Sequence, residues 1–201
     1  MDRNRAENYP LRRRDVAARL LADRGDMLVV GGLGAPAWDI TAAGDTPLNF
    51  PLWGAMGGAA AIGLGLALAQ PARRVLVLTG DGDMLMGVGS LATIAAQRPT
   101  NLAIVVQDNE RYGETGMQTT HTAGDVDLAG MAAAAGFPVV GRAADQAEFE
   151  AAIPVIREAA GPVFYNVKIR AEMEDFVMPP KDGAHLKDRM RIALLGPDTA
   201  V

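Results

Sequence analysis

An aspartate between two glycines begins the part of the sequence whose residue types could do chemistry. In "VLTGDGDMLMGVGSLATIAAQRPTNLAIVVQDNERYG" (77–113), Asp81 stands between Gly80 and Gly82, and Asn109 follows 28 positions later. Both follow apolar runs, and open parallel sheets bind ligands beyond the carboxyl ends of their strands. One carboxylate and one amide oxygen form a hard, incomplete ligand set, which Mg²⁺ accepts when phosphates and water complete its octahedron. The residues alone therefore indicate a Mg²⁺–diphosphate site.

The surroundings of Asp81 favour an anion as well as a metal. Gly80 and Gly82 are expected to let the backbone turn sharply and to leave room for a bulky anion. A helix beginning near 84–87 would direct its free N–H groups at that anion. The alternative is an ordinary Gly-Asp-Gly turn followed by an unrelated Asp-Asn loop. The linked pair at two strand ends makes the ligand site the better interpretation.

The elements that position these residues follow from an alternation of short β-rich runs with helical stretches. Most strand candidates are nearly continuous in Val, Ile and Leu, as strands covered on both faces are. The predicted strands are 27–31, 74–79, 102–107, 138–141 and 162–169. The predicted helices are 11–23, 57–69, 86–97, 127–135 and 145–159. This pattern predicts an α/β fold, a doubly wound and mostly parallel sheet with helices on both faces.

Individual residues add detail to the predictions for two of the helices. Asp145, followed three residues later by Glu148, is a capping-box arrangement. Pro154 is expected to kink or divide the helix that this box begins. The first helix is expected to turn its arginines toward solvent, namely Arg12, Arg13 and Arg14.

The bulk composition limits the class of protein. The 201 residues suit one α/β domain, predicted over 1–170, followed by a C-terminal arm, 171–201, with a short helix after Pro179-Pro180. A net charge of −5 gives no support to a nucleic-acid or anionic-membrane role. The absence of cysteine excludes disulfides, Cys-ligated zinc and Cys-bound iron–sulfur clusters, and it fits a cytoplasmic protein.

Two segments bear on targeting and membranes. The N-terminus, "MDRNRAENYPLRRRD", is charged and has no apolar segment, so it is not expected to be a signal peptide. Residues 50–69 carry no charge over 20 residues, close to the length that spans a bilayer. They are mostly Gly and Ala with Pro51 among them, so a buried helix with a small-residue face is expected, and no membrane association.

The stretch around Asp81 resembles the thiamine-diphosphate-binding motif, in which GDG is followed at a distance by an asparagine. The wider stretch 49–120 is similar to the small (β) subunits of sulfopyruvate decarboxylase and to the matching half of phosphonopyruvate decarboxylase. The resemblance implies a thiamine-diphosphate-binding fold with thiamine diphosphate and Mg²⁺ as cofactors.

The resemblance also implies roles for individual residues. The side chains of Asp81 and Asn109 and the main-chain carbonyl of Arg111 would bind Mg²⁺. The backbone of Gly82 and Asp83 would hold the diphosphate. Asp at position 83 departs from the Ser or Ala common there, and a carboxylate beside a diphosphate is unfavourable, so only the Asp83 N–H is given this role.

A second patch, "LWGAMGGA" (52–59), is similar to the Gly-x-hydrophobic-Gly element of the family. The resemblance implies that the Gly54 carbonyl accepts a hydrogen bond from the aminopyrimidine ring and that Met56 folds the cofactor. From the residues alone, this patch is close helix packing with Met56 in the core. The loop "GGLGAPAWD" (31–39) is expected to cover the diphosphate side, although its glycines fit simple turns equally well. Further predicted cofactor contacts are Gly34, Gly80, Tyr112 and Gly113.

Proton-handling groups are expected in "NERYGETGMQTTHT" (109–122), because protein side chains must orient the substrate and move protons. A solvated surface loop is the alternative. The catalytic candidates are Glu114, Gln118 and His121.

The resemblance implies one part that this chain lacks. In the family, a glutamate that activates the cofactor comes from a separate pyrimidine-binding domain, and a single domain filled by diphosphate-binding motifs leaves no room for it. A partner α subunit is therefore expected to supply the glutamate, in an α2β2 complex that decarboxylates a small 2-oxo acid without oxidation.

Other functions stay open at this stage. One is the β-like subunit of a 2-oxo acid:ferredoxin oxidoreductase, although the absence of cysteine argues against a cluster in this subunit. Another is an acetolactate-synthase-like ligase, whose flavin and acceptor sites need sequence that this chain lacks. A third is a catalytically silent cofactor-binding subunit. A dinucleotide-binding domain is disfavoured because "GGLGAP" is not the GxGxxG fingerprint.

Overall fold

A sheet of six parallel strands organises the computed structural model, which describes residues 4–199. The strands are β1 (Leu28–Gly31), β2 (Asn49–Pro51), β3 (Val75–Gly80), β4 (Leu102–Asp108), β5 (Arg111–Tyr112), β6 (Gln118–Thr119), β7 (Val139–Ala143) and β8 (Val163–Lys168). The order in the sheet is β2-β1-β3-β4-β8-β7, and β5 and β6 form a separate antiparallel hairpin. Each neighbouring pair in the large sheet is parallel.

Eight α-helices occur within the described residues. They are α1 (Arg13–Leu21), α2 (Ala35–Ala42), α3 (Ala59–Ala69), α4 (Asp81–Met86), α5 (Ser90–Gln97), α6 (Leu128–Ala135), α7 (Gln146–Glu158) and α8 (Gly183–Leu195).

The helices pack on both faces of the sheet through two apolar clusters. One cluster joins alternate strand residues to α1, α2 and α7, with Leu20, Ile40 and Phe149 buried in it. The other joins the intervening strand residues to α3, α5 and α6, including Ile94 and Leu128. Every residue of β4 is buried, as expected for a strand covered on both sides. The predicted doubly wound, parallel α/β fold is confirmed.

The five predicted strands are present with ends within two residues of the predicted ones, but the short elements β2, α2, β5 and β6 were not predicted. The interpretation of 31–39 as a loop was wrong, because α2 begins at Ala35. Gly34 precedes it with φ of +80°, and Pro36 lies in its first turn, where a missing N–H costs no hydrogen bond. The strand β2 has three residues at the sheet edge, where Pro51 is tolerated.

The helix predicted over 86–97 is two helices. The first, α4, already begins at Asp81, so the predicted start near 84–87 was wrong, and α5 begins at Ser90. Gly87 follows the last residue of α4, and a Cβ there would lie 2.0 Å from the carbonyl oxygen of Gly57. No larger residue fits this close approach of two loops.

The N-cap half of the capping box is confirmed, with the Glu148 side chain bonded to the Ala144 N–H instead of the Asp145 N–H, whereas the division of the helix is not. The Asp145 side chain accepts a hydrogen bond from the Glu148 N–H at 2.9 Å. The helix α7 continues past Pro154 to Glu158 as one element, with Pro154 on its exposed side. Pro154 has no N–H to donate, so the carbonyl four residues before it lacks its helical partner. That carbonyl can bond to water instead.

The C-terminal arm packs on the rest of this chain. Leu186 and Met190 of α8 are buried, and the indole N–H of Trp53 donates to the Pro180 carbonyl at 2.7 Å. Residues 50–69 divide between β2, a loop and α3. Among residues 4–199 we find no helix with the length and apolar character needed to cross a membrane.

Candidate active site

A cavity of about 520 Å³ opens at the carboxyl ends of β1, β3 and β4. This is the edge at which open α/β sheets bind ligands, and the volume lies in the usual range for small-molecule sites. Three groups of residues line it: the start of α4, the segment from Asn109 to Thr115, and residues around the start of α2. The predicted residues among the lining are Met56, Gly80, Asp81, Gly82, Asp83, Asn109, Arg111, Tyr112, Gly113, Glu114 and His121.

Asp81 is the first residue of α4, and it is 1% exposed. Its Oδ2 accepts hydrogen bonds from the hydroxyl groups of Thr120 at 2.5 Å and Thr122 at 2.9 Å. Burial, followed by the negative charge of Asp108, raises the pKa of Asp81 to about 7. Two hydroxyl donors therefore do not compensate the buried charge, and a cation at this carboxylate would be strongly favoured.

Asn109 comes to the same cavity because β3 and β4 are neighbours, with Gly80 paired to Gln107. The Oδ1 of Asn109 accepts a hydrogen bond from the Arg111 N–H at 2.9 Å, which closes a tight turn after β4. The residue between them, Glu110, has φ of +59°. Within residues 4–199, no group of three or more His, Asp or Glu side chains gathers as a metal site. A metal here would take mixed oxygen ligands.

The glycines of the turn have different roles. A Cβ on Gly82 would lie 2.5 Å from Cε1 of Tyr112, so position 82 admits no side chain. A Cβ on Gly80 would meet nothing within 4 Å, and Gly80 has φ of −88°. The expectation that Gly80 is needed for a sharp turn was therefore wrong. Because α4 starts at Asp81, the N–H groups of Gly82 and Asp83 lie in its first turn, where they have no helical acceptor.

The carboxylate of Asp83 is occupied by protein donors. The hydroxyl group of Thr79 donates to one oxygen, and the Gly57 N–H donates to the other at 2.5 Å. The side chain is 5% exposed. Its charge is therefore directed at the protein, which leaves the backbone N–H as the group that Asp83 can offer to an anion.

The predicted pyrimidine patch is brought to the cavity only in part. Met56 lines the cavity, and its methyl group would be 3.6 Å from a Cβ at Gly82. Gly54 is exposed and is not among the lining residues. Ala55 and Gly57 both have positive φ, so the loop that carries Met56 is tightly turned.

The catalytic candidates are also divided. Glu114 and His121 line the cavity, and Nδ1 of His121 lies 3.4 Å from the Tyr112 hydroxyl. Burial raises the pKa of Glu114, against the opposing charge of Arg13. Gln118 is exposed and is not among the lining residues, because its amide is hydrogen-bonded to Thr115. The geometry gives Gln118 no catalytic position.

Gly34 lies just behind the cavity wall. A Cβ on it would be 2.9 Å from Oε1 of Glu114, and it is not itself a lining residue. It therefore supports Glu114 and the start of α2, and this structure does not bring it to the cavity surface.

Two lining residues were missed or misread in the sequence. Arg13 was expected to face solvent, but it is 4% exposed and forms an ion pair with the buried carboxylate of Asp39. Gln107 donates from Nε2 to the Arg13 carbonyl at 2.6 Å, and its Oε1 is buried without a hydrogen-bond partner. An arginine next to a helix start gives no sequence signal for burial, whereas a polar residue ending an apolar strand does.

The sequence of the domain matches a known family over most of its length. Residues 33–167 match the family described as "Thiamine pyrophosphate enzyme, C-terminal TPP binding domain". The chain belongs to this family. The match covers the cavity-lining start of α4 and the turn after β4, and both Asp81 and Asn109 lie within it.

Related proteins agree with this membership. The chain is 41% identical over 179 residues to the sulfopyruvate decarboxylase subunit beta of Methanothermobacter thermautotrophicus, which covers 89% of this chain and 93% of that one. It is 38% identical over 164 residues to the phosphonopyruvate decarboxylase of Streptomyces viridochromogenes, spanning 81% of this chain and 41% of the relative.

Solved structures share the fold. The benzoylformate decarboxylase of Polynucleobacter necessarius superposes with a TM-score of 0.68 at 20% identity, over 83% of this chain and 34% of that one. A thiamin diphosphate-dependent enzyme from Mycobacterium smegmatis gives the same TM-score at 21% identity. This thiamine-pyrophosphate enzyme domain thus spans about a third of those longer chains.

Proposed function

We propose that this chain is the small subunit of a thiamine-diphosphate- and Mg²⁺-dependent 2-oxo acid decarboxylase of the sulfopyruvate and phosphonopyruvate type, working in the cytoplasm. One observation carries the proposal: the buried carboxylate of Asp81 and the amide of Asn109 line one cavity at the strand ends of a thiamine-pyrophosphate enzyme domain. The identity of 41% to a sulfopyruvate decarboxylase subunit supports the reaction type.

The residues of the cavity fit the cofactor and the metal. Asp81, Asn109 and the Arg111 carbonyl are oxygen donors of the kind that Mg²⁺ prefers. A diphosphate needs close approach to the backbone, and Gly82 has no space for a side chain. Gln107 lines the cavity, and its Oε1 is buried without a hydrogen-bond partner, so a polar group bound in the cavity could satisfy it.

The groups of this chain would bind the metal and orient the cofactor. Asp81, Asn109 and the Arg111 carbonyl would hold Mg²⁺, while the N–H groups of Gly82 and Asp83 would hold the diphosphate, as helix N-termini hold anions. Met56 would support the pyrimidine end. When bound, thiamine diphosphate supplies a ring that takes up the electron pair left as CO₂ departs from a 2-oxo acid.

Proton transfer falls to two cavity side chains. Glu114 has a raised pKa at the cavity wall, so it can hold a proton near the substrate at a higher pH than an exposed glutamate. His121 lies beside the Tyr112 hydroxyl, where it could supply the proton that replaces CO₂ on the substrate carbon before the product leaves. Gln118 is not placed in the mechanism.

A pyrimidine-binding partner subunit completes the site and supplies the activating glutamate, with two copies of each subunit. The relative from Methanothermobacter is named as a beta subunit, which supports a heteromeric enzyme. Apolar side chains at the opening of the cavity support a covered face: Met86 lines the cavity and is 65% exposed, and Trp53 on the neighbouring loop is 38% exposed.

Binding calorimetry tests the proposal. Mg²⁺ and thiamine diphosphate are titrated into the chain alone and into the chain co-purified with the product of the neighbouring reading frame. Tight binding to the pair is expected, with loss in Asp81→Asn, which keeps the shape of the side chain but removes its charge. The control is Asp26→Asn, whose side chain is 74% exposed.

Turnover separates the candidate reactions. The loaded pair is expected to release CO₂ from sulfopyruvate or phosphonopyruvate faster than from pyruvate. Cofactor binding without CO₂ release would indicate a silent cofactor-binding subunit, and no binding in either preparation would refute the metal–diphosphate assignment of Asp81 and Asn109.

A further inference from the structure

The turn between two proposed metal ligands depends on an unusual residue. Glu110 stands between Asn109 and Arg111 with φ of +59°, in the left-handed region that side chains other than Gly, Asn and Asp seldom adopt. This one residue sets the relative directions of the Asn109 side chain and the Arg111 carbonyl.

The carboxylate of Glu110 is fully buried and takes hydrogen bonds from three side chains. To its Oε1, Arg5 donates from Nε at 3.0 Å and from Nη2 at 2.9 Å, the Tyr9 hydroxyl donates at 2.8 Å, and Lys168 Nζ donates at 2.8 Å. Charged bonds of this kind are the strong ones in proteins. We call Glu110, Arg5, Tyr9 and Lys168 the Glu110 clamp.

The clamp joins three parts of the chain that are distant in sequence. Arg5 and Tyr9 precede α1, Glu110 follows β4, and Lys168 ends β8. The N-terminal part is itself fixed, because the Ala171 N–H donates to the Ala6 carbonyl at 2.9 Å. A strained conformation persists only where its surroundings over-determine it, and these contacts do so.

Hydrogen bonds also connect the Glu110 clamp to Asp81, the third proposed metal ligand. Lys168 also contacts Asp108 Oδ2 at 2.8 Å, and Asp108 Oδ1 accepts from the Glu110 N–H at 3.2 Å. The Thr122 hydroxyl lies 2.8 Å from Asp108 Oδ1 and 2.9 Å from Asp81 Oδ2. The same network therefore reaches both sides of the proposed metal site.

We propose that Glu110 is a positioning residue for the metal: the Glu110 clamp holds 109–111 in the turn that presents the Asn109 side chain and the Arg111 carbonyl to Mg²⁺. The inference rests on the proposed function for its metal, and it gives the segment before α1 a role in metal binding. Groups that orient metal ligands typically change metal affinity about 10–100-fold when they are removed.

The test is the Mg²⁺ dissociation constant of the thiamine-diphosphate-saturated complex with the partner subunit, measured by calorimetry. Arg5→Met is the main variant, because the Arg5 side chain is 32% exposed and Arg5 lies outside the strands of the sheet. We expect its Mg²⁺ affinity to fall about 10–100-fold, with partial recovery in Arg5→Lys. The matched control is Arg19→Met, which removes a similar two-pronged contact with Glu150 on the surface.

A second pair of variants separates the effect of the left-handed conformation at position 110 from the effect of the Glu110 carboxylate. Glu110→Ala removes the carboxylate and keeps the unfavourable left-handed conformation, whereas Glu110→Gly removes the carboxylate and adopts that conformation freely. We expect the glycine variant to bind Mg²⁺ more tightly than the alanine variant. High Mg²⁺ is expected to restore activity in Arg5→Met but not in Asp81→Asn.

The outcomes are distinguishable. Unchanged Mg²⁺ affinity in Arg5→Met and Glu110→Ala, with only a lower unfolding temperature, would make the clamp a purely structural feature and overturn this inference while the proposed function stands. Failure of the wild-type complex to bind Mg²⁺ and thiamine diphosphate would overturn both.

Discussion

The buried carboxylate of Asp81 makes the stability of the metal-free protein depend on pH. Its pKa is raised to about 7 in the fold, by burial and then by Asp108, from an ordinary value of 3.8. An acid with a raised folded pKa contributes stability that is fully present below 3.8 and is lost as the pH rises through about 7. That difference corresponds to about 4 kcal/mol, a large fraction of the free energy of unfolding of a domain.

About 2–3 kcal/mol of that loss falls between pH 5 and pH 8. Asp81→Asn removes the titration, so the free energy of unfolding of the wild-type chain should fall relative to the variant by this amount over the same range. Urea unfolding at pH 5, 6, 7 and 8, with EDTA present, measures both proteins. Asp26→Asn controls for a change of net charge at an exposed carboxylate.

Saturating Mg²⁺ and thiamine diphosphate, with the partner subunit, should abolish the difference in pH dependence, because a bound cation replaces the proton. If the free energies of unfolding of wild type and Asp81→Asn run parallel from pH 5 to pH 8, the buried charge of Asp81 is compensated in the metal-free protein. The reasoning that a cation is needed there would then be refuted.

Two further predictions use matched variants. Gly82→Ala should abolish cofactor binding, since its Cβ would lie 2.5 Å from the Tyr112 ring, whereas Gly89→Ala, at an exposed glycine outside the cavity lining whose Cβ meets nothing within 4 Å, should bind as wild type in the same calorimetry. Equal binding would show that the turn relaxes. Arg13→Met should lower the free energy of unfolding by about 3 kcal/mol, because it removes the nearest cation of the fully buried Asp39 carboxylate and leaves only the more distant Arg14 Nε, at 3.5 Å. The exposed Arg12→Met should cost under about 1 kcal/mol, and equal losses would contradict the burial of Arg13.

Much of the fold was predictable because its signal is local. The strands β3 and β4 are continuous apolar runs, and runs of this kind indicate a sheet buried on both faces. The elements β2 and α2 were not predicted, because three and eight residues are too few to establish a period. Their conformations depend on pairing with β1 and on the positive φ of Gly34, which the sequence does not state.

The residues of the candidate site were likewise predictable only where their signal is local. Asp81 and Asn109 were predictable as a pair because each ends a strand, and neighbouring parallel strands end at one edge. Thr122 and Arg13 were not identified, because their positions depend on the packing of the β5–β6 hairpin and of α1 against distant strands. Residues that act through such contacts have no fixed spacing from the residues that they support.

The contacts of Asp83 explain how the domain accepts a second carboxylate beside the proposed diphosphate site. Its oxygens are bound by the Thr79 hydroxyl and the Gly57 N–H, so neither is left to repel an anion. Gly57 directly follows Met56, whose side chain lines the cavity. One carboxylate therefore ties the loop proposed for the pyrimidine end to the turn proposed for the diphosphate end. Because the two bonds go to different oxygens of one carboxylate, the Asp83 side chain itself links the two halves of the proposed site.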